Sequence, residues 1–100
     1  MSLETVTQQI EKRLPDLAAL DARVKFVVEP AGVVLVDATK TPPVLSHGDG
    51  EADTTIRIAE DRFEQLLDGR LSPTLAYTLG QLKVEGSLGV AMKLASLLES

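Results

Sequence analysis

One hundred residues is the size of a single domain and enough to bury a core without staples, and a chain with no cysteine has neither disulfides nor thiolate chemistry to draw on. Fifteen acidic against ten basic residues leave a net charge of -5, which disfavours nucleic acid and any lasting residence on an anionic membrane. Hydrophobic residues make up 44% and aromatics only 3%, so the interior is built from Leu, Val, Ile and Ala, aliphatic walls suited to an aliphatic guest.

In chain order, Leu3, Val6, Ile10 and Leu14 share one helical face, with Glu4, Gln8, Glu11 and Lys12 opposite, which predicts an amphipathic helix. Pro15 disfavours helical geometry at Leu14, so that helix is expected to stop there, with residues 16–23 a short helical turn or connector. The β-branched runs 24–29 (VKFVVE) and 33–37 (VVLVD), separated by Pro30-Ala31-Gly32, predict a hairpin. Residues 38–52 are punctuated by Thr-Pro-Pro and Gly-Asp-Gly around Val44-Leu45 and read as mostly loop, at most with an edge strand. Residues 53–58 (DTTIRI) alternate like a half-buried strand.

Two short helices follow. Phe63, Leu66 and Leu67 share a face that ends at Gly69; Ser72-Pro73 then supplies an N-cap and a first helical residue for a helix running to Gly80. Residues 81–85 (QLKVE) alternate as a strand, and Gly86 turns the chain into a last helix over residues 88–98. Its apolar arc includes Leu88, Ala91, Met92, Ala95 and Leu98, widened by Val90, Leu94 and Leu97. That is broader than packing on one sheet requires, and implies contact with core, a second subunit or an apolar ligand. Strands and helices cluster separately, the pattern of an α+β fold with a mixed, largely antiparallel sheet covered on one face.

From Asp53 to Leu98 the motifs DTTIRI, FEQLLDG and LSPTLAYTLGQLKVEGSLGVAMKLASLL resemble the sterol carrier protein 2 (SCP2) family of lipid-binding domains. The matching positions are Gly69, Pro73, Ala76, Gly80, Lys83, Gly86, Gly89, Ala91, Lys93 and Leu94, with weaker agreement at Phe26 and VVLVD. The resemblance implies a curved sheet of about five strands under helices, enclosing a hydrophobic tunnel for sterols, fatty acids, acyl-CoA or phospholipids, with no catalysis and no cofactor. Phe63, Leu67, Leu75, Leu79, Leu88, Met92 and Leu98 are the candidate lining, with Met the most adaptable. Tyr77, beside Ala76, offers a hydroxyl to a headgroup at the mouth. Lys83 and Lys93 are either attractants for a carboxylate or phosphate or surface lysines with snorkelling stems.

Two chemical constellations compete poorly with solvated loop. Ser46, His47 and Asp49 are too close in sequence for triad geometry, which assembles from distant segments. Asp49, Glu51, Asp53 and Glu60 match acidic positions of a calcium loop, but the position that needs glycine is Thr54, and the stretch runs into a strand, so no metal is expected. The chain shows no signal or transit pattern and no apolar run of about eighteen residues, and its end, Leu98-Glu99-Ser100, is not a peroxisomal address. A stand-alone, prokaryotic-type, cytoplasmic lipid carrier with at most transient membrane contact is therefore expected. The alternative is an accessory module whose last helix docks on a lipid-metabolising enzyme or forms a homodimer.

Overall fold

The computed structural model describes residues 2–48 and 50–99. Helix α1 covers Leu3–Leu17, opened by the Ser2 hydroxyl, which accepts the Thr5 N–H at 3.2 Å. Its buried residues are Val6, Thr7, Ile10 and Leu17. The expected stop at Leu14 is corrected: the helix carries Pro15 inside its last turn. Proline removes only the N–H that would reach Glu11, an exposed residue whose carbonyl water can serve, and the added turn buries Leu17 and then Leu20. A 3-10 turn over Ala18–Leu20 and a left-handed Asp21 lead into the sheet.

Five strands follow: β1 (Arg23–Glu29), β2 (Gly32–Asp37), β3 (Val44–Ser46), β4 (Thr54–Ala59) and, after helices α2 (Glu60–Leu67) and α3 (Pro73–Thr78), β5 (Leu82–Gly86). Helix α4 (Leu88–Glu99) ends the described chain. The strand order is β3-β2-β1-β4-β5. Only the central pair, β1 with β4, is parallel; the other neighbours are antiparallel. This is the α+β class with a mixed, mostly antiparallel sheet, and Val44-Leu45 does form the edge strand.

Alternation sends one row of side chains inward from each strand, and the register aligns those rows across the sheet. Val34, Phe26, Ile56 and Val84 are successive neighbours across β2, β1, β4 and β5, and Val28, Ile58 and Leu82 form the next row. The opposite face shows Lys25, Arg57, Lys83 and Glu85, with Arg57 Nε 3.1 Å from a Glu85 carboxylate oxygen. The core therefore lies on one side of the sheet, against the helices.

Gly86 sets the entry to α4. It has φ +92, and a Cβ there would stand 2.7 Å from the Asp53 carbonyl oxygen, the same oxygen that accepts the Ser87 N–H at 2.8 Å. Gly86→Ala should therefore destabilise the fold by about 3 kcal/mol, read as a lower urea midpoint at unchanged slope.

Candidate functional site

Three helices enclose the half of the inner face formed by β1, β4 and β5. In α2, Phe63 and Leu66 face the sheet, and the Phe63 ring meets that of Phe26 at 5.8 Å between centroids, tilted by 57°. Gly69 closes α2 in a left-handed turn, its N–H bonded to the Leu66 carbonyl while the Arg70 N–H reaches Gln65. The same closure ends α3, where the Gly80 N–H meets Tyr77 and the Gln81 N–H meets Ala76. Ser72 caps the start of α3, its hydroxyl accepting the Leu75 N–H at 3.4 Å, with Pro73 at the first helical position.

Helix α4 roofs the space. Its first turn is held by the Ser87 hydroxyl, which accepts the Val90 N–H at 3.2 Å, and by the backbone bond from Ser87 to Asp53. Its last turn is held by α1, whose Arg13 Nη2 donates to the Leu98 carbonyl oxygen at 2.9 Å. Placing that cation at the carboxyl end of a helix also suits the helix dipole.

Between these elements lies a hollow of about 370 Å³. Phe26, Ile56, Leu82 and Val84 form its floor, and Phe63, Leu66, Pro73, Thr74 and Tyr77 its walls. Leu88, Ala91, Met92, Leu94, Ala95, Ser96 and Leu98 form its roof. Among the described residues no Asp, Glu, Lys, Arg or His lines it, and the side-chain polar groups there are the hydroxyls of Thr74, Tyr77 and Ser96. Such a surface can desolvate hydrocarbon and offers few directional bonds.

Of the residues singled out in the sequence, Phe63, Tyr77, Leu88, Met92 and Leu98 line this hollow. Leu67, Leu75, Ala76 and Leu79 do not. In α2 the inward position is Leu66, with Leu67 packed at the margin of the core. Ala76 is fully buried in the core outside the lining, whereas Leu75 on α3 and Leu79 just after it are exposed. Sequence reasoning missed the floor. Phe26, Ile56 and Val84 share one strand parity, a visible signal, but which strands lie side by side was not.

The competing constellations are taken up elsewhere. The His47 Nε2 lies 2.8 Å from the Thr7 Oγ1, whose own hydroxyl donates to the Leu3 carbonyl at 2.8 Å, so His47 ties the end of β3 to α1. Asp49 lies outside the described residues. Asp53 accepts the Arg23 N–H at 2.8 Å and the chain then runs straight into β4, so it does not curl toward Glu60. Away from the hollow, the Thr39 hydroxyl and N–H donate to Asp37 and hold its carboxyl below the usual carboxylate range.

A mixed five-stranded sheet whose helices leave an apolar hollow against it defines a container fold for a hydrophobic guest. The family model described as the SCP-2 sterol transfer family matches residues 3–99, and the chain belongs to that family, a class of lipid-binding and lipid-transport domains. Human "Sterol carrier protein 2" is 43% identical over 54 residues, 54% of this chain but 10% of that protein, so the chain spans about a tenth of the length of that relative. The solution structure of the sterol carrier protein domain 2 of Helicoverpa armigera superposes with a TM-score of 0.74 at 23% identity, over 96% of this chain and 81% of that one. That of palmitated SCP2L2 from Aedes aegypti also gives 0.74, at 20% identity over 100% and 96%. No helix among the described residues is long and apolar enough to cross a membrane.

His47→Ala removes the bond to Thr7. It should lower stability by about 1 kcal/mol in urea unfolding and leave uptake of a fluorescent fatty acid unchanged.

Proposed function

We propose that this chain is a non-catalytic carrier that holds the alkyl chain of one lipid, a fatty acid or fatty-acyl ester in the first instance, between its sheet and α4. The observation that carries the reading is the hollow itself: about 370 Å³, walled by hydrocarbon and bordered by no ionisable side chain among the described residues. Small-molecule sites run from about 300 to 1,000 Å³, and a volume at the low end suits one alkyl chain better than a two-chain lipid. A palmitated structure of the same fold supports that class of guest. The acidic, cysteine-free sequence supports action in a reducing, cytoplasmic setting.

Transfer of about sixteen carbons from water to hydrocarbon yields on the order of 12 kcal/mol before the losses of association, enough for micromolar or tighter binding with no strong polar contact. Affinity then follows chain length and discriminates weakly between headgroups. Tyr77, Leu88 and Met92, which line the hollow and are also exposed, mark where the headgroup meets water.

Native mass spectrometry of protein purified without detergent should show a one-to-one lipid adduct, and extraction should identify a single-chain lipid. Ala91→Phe, on the inward face of α4, should fill the space and reduce loading of a fluorescent fatty acid at least tenfold while the fold persists; unchanged loading would sink the reading. Palmitate at about a hundred times its dissociation constant should add about 2.7 kcal/mol of stability to the wild type, a rise of roughly 10 °C or more in melting temperature.

A further inference from the structure

The sheet has two outer strands, and they differ. β3 is three residues long and follows Pro42-Pro43, features that blunt an edge. β5 has five residues and no proline, and no strand of the sheet lies beyond it among the described residues. One bond fixes the phase of its backbone. The Ser87 N–H reaches the Asp53 carbonyl, one step outside the register pair Gly86 and Thr54, so that pair is not itself hydrogen-bonded. Alternation then points the backbone groups of Lys83 and Glu85 at β4, in keeping with the Thr54 hydroxyl donating to the Glu85 carbonyl at 3.2 Å, and turns those of Leu82 and Val84 outward. A groove runs along that outer side, walled by residues 82–85 and by Tyr77, Thr78 and Gly80.

The side chains of β5 carry a second regularity. Lys83 and Glu85 are exposed, with the half-buried Val84 between them on the inner face. In the register Lys83 stands opposite Arg57, a like-charge pair, and Glu85 serves Arg57 at 3.1 Å. Run antiparallel about Val84, the sequence Lys-Val-Glu is its own complement. We propose that β5 pairs with β5 of a second copy of this chain, joining two five-stranded sheets edge to edge about a two-fold axis at Val84. The two Val84 residues then exchange their N–H and C=O bonds, and each Lys83 meets the other copy's Glu85 in a closely spaced, non-hydrogen-bonded pair. An axis at Lys83 or at Glu85 would instead oppose like charges. Any extended peptide could use the free backbone, but the charge pattern selects a second copy. Tyr77, Leu82 and Val84 line both the groove and the hollow, so that copy adjoins the wall of the hollow, whatever the hollow holds.

Sedimentation of the full chain at about 100 μM should give a dimer, and hydrogen exchange should show the Val84 amide protected at that concentration and open at about 1 μM. Lys83→Glu and Glu85→Lys each set like charges opposite one another across the axis. Each should weaken self-association about tenfold or more, with the circular dichroism of the folded chain unchanged. Mixed in equal amounts, the two variants are complementary at both contacts and should form a heterodimer, which loss of folding in either cannot produce. Edge pairing is overturned by a wild type that is monomeric at about 100 μM, which leaves the edge to an extended peptide of another protein. Variants that self-associate like the wild type also overturn it, because the second copy then sits elsewhere, on the exposed apolar residues of α3 and α4. So do two folded variants that fail to pair on mixing, or Val84 exchange that does not change with concentration.

Discussion

Helix α4 spans the sheet from two fixed ends, and the space beneath it depends on that suspension. At its start, Gly86 passes so close to Asp53 that no side chain fits, and the Ser87 N–H is bonded to the Asp53 carbonyl. At its end, Arg13 of α1 holds the Leu98 carbonyl. Between these anchors Ala91 and Leu94 turn inward, and small residues at Ala91 and Ala95 leave volume where larger ones would fill it. The other half of the inner face, under Val24, Val28, Val34 and Val36, is packed shut with the help of Val6 and Ile10 from α1. One sheet thus serves two purposes, with a close-packed core at one side and room at the other.

That division explains how a chain this short tolerates a hollow at all. An empty apolar void costs several kcal/mol or more, a large part of the stability of a small domain. The core beside it carries the fold, and on the proposed reading a hydrocarbon guest would restore contacts that the lining lacks. The lining is apolar, with the rings of Phe26, Phe63 and Tyr77 among aliphatic side chains and three hydroxyl-bearing residues; on the proposed reading such a surface would select by the length and girth of the guest and leave its headgroup to the opening. At the opening, the exposed Tyr77, Leu88 and Met92 make the inside of the hollow continuous with the outer surface.

Much of this was legible from the residues. The hairpin, the Gly69 and Gly80 closures and the Ser72-Pro73 start all depend on chemistry within a few residues, which sequence reports directly, whereas Val44-Leu45, read within a stretch of mostly loop, becomes a strand by pairing with β2. Pro15 misled because its cost is local while the gain from burying Leu17 and Leu20 is tertiary. Leu66 and Leu67 were indistinguishable in pattern: a helix of eight residues gives too few turns to fix its rotation, and contact with Phe26 settled which neighbour faces the sheet. Leu75 and Leu79 carried the right composition for a lining, but Leu75 on α3 and Leu79 at its C-cap are exposed.

The sequence by itself determined the α+β class, the order of elements, the aliphatic character of the interior and, through the motifs from Asp53 to Leu98, the family. Those properties reside in periodicity, caps and spacing along one stretch of chain. Only the tertiary structure decided that β1 lies beside β4, that Phe26, Ile56 and Val84 thereby share a floor, and that α4 stands off it by its two ends. Strand adjacency and the height of a roof follow from contacts between residues far apart in sequence, and no local pattern encodes them.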